Sequence, residues 1–139
     1  MERGEVWWAH LDERRPVVIL SVGSGPDLRA AQIVAPATPA ERHGFLIMSG
    51  AAAVDPNERQ RIIGPAGSSV IAVGVEVAVG GEEGLPYDGV VRVALPSEAK
   101  VFCTWMLTLS TDCLIKRIGV LSPEKLYMLE NVVELAGIE

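Results

Sequence analysis

Polar and apolar residues alternate from the start of the chain. In residues 4–11, Glu5, Trp7 and Ala9 take one phase and Val6, Trp8 and His10 the other, the period of a strand rich in β-favouring residues. After the short polar stretch 11–14 comes Pro16-Val17-Val18-Ile19-Leu20-Ser21-Val22. Its unbroken aliphatic run predicts a buried strand. Pro16 cannot donate to a ladder, so it is expected at the first strand position. A connection this short suits a hairpin, so the two strands should pair antiparallel. Gly23 to Asp27 is dense in turn residues, and Ala30 to Ala35 supplies a third strand of a meander.

Beyond residue 36 the pattern is uneven. Pro36 and Pro39 bracket Thr38, which predicts that its hydroxyl lies exposed where strand gives way to irregular chain. Residues 40–69 give a weak pattern, with Phe45 to Met48 as a short strand and residues 55–61 starting like a helix or a loop. Residues 70–79 predict a strand with Val73, Val75, Val77 and Val79 on one face, and residues 90–95 and 100–109 two more. Residues 110–117 predict a short helix capped by Ser110 or Thr111 and closed by Gly119. Ser122-Pro123 then opens an amphipathic helix with Leu126, Leu129, Val132, Val133 and Ala136 on its apolar stripe and Gly137 as its stop. Strands precede helices, which excludes a doubly wound parallel sheet. The expectation is a mainly β (α+β) fold, a small and largely antiparallel barrel with a short helix and a C-terminal helix against it.

Composition narrows the partners. A chain of 139 residues has the length of one domain, and 49 % hydrophobic content in so small a protein points to a second subunit covering apolar surface. The net charge of −6 argues against a broad basic field for nucleic acid, so any RNA site must be local. No apolar run reaches the roughly 18 residues of a membrane span, and the start has no apolar signal core, so a cytoplasmic protein without a membrane partner is expected. Cys103 and Cys113 are then expected as thiols, and with His10 and His43 they make no zinc pattern.

Candidate chemistry is concentrated at the first hairpin. Arg14 and Arg15 arrive immediately before the buried run, and the proline after Arg15 holds it extended at the strand's mouth. A planar, permanently charged guanidinium suits a phosphate. His10 on its strand is a candidate acid or base, and Trp7, Trp8 and Trp105 are candidates for core packing or for stacking on bases. There is no P-loop, GxGxxG in a strand-to-helix context, nucleophile elbow or HExxH.

Four stretches resemble the MazF/PemK family of toxin endoribonucleases: Arg3-Gly4-Glu5-Val6-Trp7-Trp8, Arg15-Pro16-Val17-Val18-Ile19-Leu20, Ile33-Val34-Ala35-Pro36-Ala37-Thr38, and Leu114-Ile115-Lys116-Arg117-Ile118-Gly119-Val120-Leu121-Ser122. They leave residues 40–69 unmatched, as an insertion or loop within one domain of residues 1–139. The resemblance implies an SH3-like barrel of the CcdB/PemK type and a homodimeric toxin of a type II toxin-antitoxin pair. It also implies metal-independent, sequence-specific cleavage of single-stranded RNA to 2′,3′-cyclic phosphate and 5′-OH ends, without a cofactor, and inhibition by an antitoxin protein. The family's catalytic arginine and threonine fall on Arg15 and Thr38, with Arg14, His10 and Trp8 as candidate RNA contacts. Two positions depart from the family. Thr104-Trp105-Met106-Leu107 replaces an acidic residue, Gln and a basic residue, and residues 11–14 replace a longer loop. With the acidic charge, these departures frame the alternative of a non-catalytic or gyrase-targeting binding protein on the same barrel.

Overall fold

Two sheets and a terminal helix enclose the main core. The computed structural model describes residues 2–23, 25–40, 45–63, 72–94 and 106–136. Strands β1 (Glu5–His10), β2 (Arg14–Val22) and β3 (Asp27–Gln32) form the expected meander. They are joined by β7 (Met106–Ser110) and β8 (Leu114–Val120) into a five-stranded antiparallel sheet of order β7-β3-β2-β1-β8. Strands β4 (Phe45–Ser49), β5 (Ala72–Val79) and β6 (Gly89–Ala94) form the second sheet. Between β4 and β5 lie α1 (Gly50–Ala53) and α2 (Pro56–Ile63), and α3 (Pro123–Ala136) closes the order.

The aliphatic run in β2 is buried as expected, and the structure shows that it is covered on both faces. Val18 and Leu20 face the main core with Val6, Ala31, Val75, Val77 and the α3 residues Leu129, Val132 and Val133. Val17 and Ile19 face a second cluster with Ala9, Leu28, Ala30 and Leu109. Val34 and Val90 exchange backbone hydrogen bonds of 2.9 and 2.8 Å, which joins the two sheets. Gly89 permits that approach, because a Cβ there would stand 2.5 Å from Ile33 Cγ2. The result is a small, mainly β barrel with helices against it.

Several expectations are corrected. Residues 114–120 are not helix: after a 3₁₀ turn, Thr111–Cys113, capped by Ser110 as expected, the chain extends into β8 along β1. Pairing with β1 outweighs the local helical signal. Gly119 is needed there for space and not as a helix stop, since a Cβ would meet the Glu83 carbonyl oxygen at 2.2 Å. Pro16 is the third residue of β2, where its carbonyl accepts from Ile33 N at 3.0 Å. The third strand begins at Asp27 and ends at Gln32, ahead of the Ala30 to Ala35 expectation. The barrel is largely antiparallel as expected, and the exception is β4, which runs parallel to β5 through the α1–α2 crossover. That crossover occupies much of residues 40–69, with Ser49 capping α1 and Asp55 bonding the Asn57 amide at 2.9 Å as Pro56 opens α2. Cys113 is a free, half-buried thiol. His43, Cys103, Trp105 and the strand expected over residues 100–105 lie outside the described residues. No helix is long and apolar enough to cross a membrane among the described residues.

Glu5 ties the β1–β8 seam. Its carboxylate accepts from Trp7 Nε1 at 3.0 Å, Arg117 Nε at 3.2 Å and Glu2 N at 2.7 Å. Burial pushes its pKa up, but the Trp7 and Glu2 hydrogen bonds and the Arg117 charge prevail, leaving it below the ordinary 4.5. A carboxylate whose pKa is lowered by folding stabilises the fold above its unfolded pKa, and that contribution disappears as pH falls through the folded value. Glu5→Gln should therefore be less stable than the natural protein at pH 7, by about 1–2 kcal/mol for charge-assisted bonds at a half-exposed seam. The gap should close below about pH 4.5. Urea midpoints followed by tryptophan fluorescence at pH 7 and pH 3 check it, and a gap independent of pH would contradict it.

Candidate active site

The hairpin register sets His10 opposite Arg14 and Ala9 opposite Arg15. Successive strand residues leave the backbone toward opposite faces, so the two arginines take different partners although both border one cleft. Arg14 lays its guanidinium 4.5 Å from the centroid of Trp8, a cation–π contact that covers one face of the indole. His10 is exposed at Arg14's register position.

Arg15 is half-buried and engaged by the short β1–β2 connection. Its Nε donates to Asp12 Oδ1 at 3.0 Å, and its Nη2 lies 2.8 Å from Glu13 Oε1. The Asp12 hydrogen bond holds the arginine's pKa above its already high ordinary value, and the same bond holds the Asp12 carboxyl below its own. Arg15 therefore stays charged throughout the physiological range. Both carboxylates are largely exposed, at 76 % and 68 % of their side-chain surface, so solvent screens these pairs and leaves them weak. A phosphate can replace them.

Arg14 and Arg15 line a cleft of about 340 Å³ together with Glu13, Pro16, Gln32, Ala35, Tyr87 and Asp88, among others. Gln32 ends β3, while Tyr87 and Asp88 precede β6. Sequence reasoning singled out none of these three. Only the β2–β3 register and the Val34–Val90 bridge bring them beside the arginines.

Thr38 is exposed as expected, three residues beyond Ala35, but its side chain does not line the cleft. The segment leading to it is fixed from behind. Glu76 Oε2 accepts the Ala37 N–H at 3.0 Å and Arg92 Nε at 3.1 Å, while Arg92 Nη2 donates to Ala35 O at 3.1 Å. Glu76 and Arg92 are 9 % and 8 % exposed. A detectable signal existed: each is a lone charge inside an otherwise aliphatic strand, and buried charges come in pairs. Leu107, at the position where the family departs, packs against the second cluster. No group of three or more His, Cys, Asp or Glu residues that could hold a metal is present among the described residues.

No family model matches the chain, and no curated protein matches it in sequence. Among solved structures it is similar to Mycobacterium tuberculosis toxin MazF-mt6, at 17 % identity and a TM-score of 0.53 over 97 % of this chain and 98 % of that one. At that identity the likeness is one of fold, and with the two-sheet barrel and its C-terminal helix it identifies the chain's architecture as MazF/PemK-like.

Proposed function

We propose that this protein is the toxin of a type II toxin-antitoxin pair, a sequence-specific endoribonuclease that cleaves single-stranded RNA without a metal. The observation that carries the proposal is a permanently charged arginine at a cleft of this barrel, held among the described residues by two exposed carboxylates. The family resemblance of the four sequence stretches supports the same assignment.

In this reaction the ribose 2′-oxygen bonds to the adjacent phosphorus as the bond to the 5′-oxygen breaks. The 2′-hydroxyl loses its proton and the departing 5′-oxygen gains one, leaving a 2′,3′-cyclic phosphate and a 5′-OH. Arg15 exchanges Asp12 and Glu13 for phosphate oxygens and stabilises the charge that accumulates on them. It is too weak a base to take the proton. Thr38 donates its hydroxyl to the same phosphate once RNA is seated. Arg14 and His10 hold the neighbouring phosphates, and Trp8 supports Arg14. The protein works in the cytoplasm as a homodimer of one-domain chains and is silenced by an antitoxin whose acidic segment covers Arg15.

Incubating the purified protein with a long mixed-sequence RNA in EDTA tests the proposal. Discrete fragments ending in cyclic phosphate are expected. Intact RNA would instead support the binding protein on the same barrel, a reading favoured by the acidic net charge and by Leu107 packing into the sheet.

A further inference from the structure

Strands β5 and β6 set Glu76 directly opposite Arg92. Their neighbours on these strands are glycine, alanine and valine, and both charges are buried. Apolar residues would satisfy the core at lower desolvation cost, so two charges here call for a purpose beyond cohesion. They reach out of their own sheet to a stretch outside every strand. Pro36 interrupts that stretch and can donate nothing, and the backbone groups on either side of it, Ala35 O and Ala37 N, both bond to the pair. Ala35 lines the arginine cleft, and Thr38 follows Ala37.

We infer that Glu76 and Arg92 are a positioning pair: they fix the backbone from Ala35 to Ala37 so that Thr38 is held in register with the phosphate at Arg15. The catalytic consequence rests on the ribonuclease assignment. Neither residue touches RNA. A displacement of about 1 Å in a positioned group costs on the order of 100-fold in rate, so a clamp of this kind matters even at a distance from the reacting atoms.

Arg92→Lys keeps the charge facing Glu76 but not the planar fork that spans Glu76 and Ala35 O, and Glu76→Gln keeps the shape but not the charge. In the full chain, hydrogen exchange of the Ala37 amide should speed up at least about 10-fold in Arg92→Lys and Glu76→Gln, with the Val18 amide of the central strand unchanged. With RNA, kcat should fall about 10- to 100-fold at nearly constant KM. Because the pair acts through Thr38, adding Arg92→Lys to Thr38→Val should slow cleavage less than twofold further. Unchanged Ala37 exchange overturns the clamp, and so does exchange that rises equally at Val18. Full additivity with Thr38→Val overturns its action on Thr38. Failure of the ribonuclease assignment is read separately, from intact RNA with the natural protein, while full activity in Arg15→Ala moves the site away from Arg15; in either case the amide exchange still decides whether the clamp exists.

Discussion

Arg15→Ala is expected to lower RNA cleavage by about 100- to 1000-fold while leaving the fold intact. Loss of one preorganised donor to a developing oxyanion costs that much in other acyl- and phosphoryl-type sites, and here the donor also carries a full charge. Stability should barely change, because among the described residues Arg15 bonds to two exposed carboxylates of the adjacent connection. The catalytic loss and the structural silence together make the test sharp. Arg15→Lys separates charge from geometry, since an ammonium offers no two-pronged contact to a phosphate. It should bind RNA almost as well as the natural protein and cleave far more slowly. Thr38→Ser should keep most of the rate and Thr38→Val little. Single-turnover cleavage of a defined RNA measures all four. An Arg15→Ala dimer that cleaves at the natural rate would take the reaction away from Arg15 and make His10 the next residue to change.

The parts of this molecule that follow from local sequence are those whose partners are close in the chain. The β1–β2 hairpin and the β2–β3 pairing could be anticipated because a short polar link and a turn-rich link leave few alternatives. Thr38's exposure followed from its flanking prolines, and the closing helix from Ser122-Pro123 and its apolar stripe. What stayed hidden depended on distant contacts. Residues 114–120 carry both helical and strand signals, and the choice is made by β1, more than a hundred residues upstream. Gln32, Tyr87 and Asp88 meet the arginines only after the two sheets join at Val34 and Val90. The parallel β4–β5 pair is of the same kind, because strand alternation says nothing about direction. Glu76 and Arg92 were different. Each interrupts an aliphatic strand, and the pairing of two opposite lone charges was open to inference before any coordinates.

That pair should also dominate the stability effects of single polar substitutions. Arg92→Met removes the guanidinium that pairs with buried Glu76 at 3.1 Å, and Ala35 O loses that donor. Breaking a buried pair in this way costs about 3–5 kcal/mol. Against a total of roughly 5–15 kcal/mol for a domain, the variant should approach the limit of folding at 37 °C. Replacing both residues, as Glu76→Leu with Arg92→Met, removes both charges and should recover part of the loss. Recovery cannot be complete if the pair also serves the backbone. The Ala37 N–H and Ala35 O then lose the side-chain bonds seen here, each a net contribution of about 0.5–1.5 kcal/mol or more for a charged partner. The double variant should therefore lie between the single variant and the natural protein in a urea titration. If it equals or exceeds the natural protein, the hydrogen bonds to residues 35 and 37 contribute nothing net; if Arg92→Met alone costs under about 1 kcal/mol, the pair behaves as a solvated surface bridge.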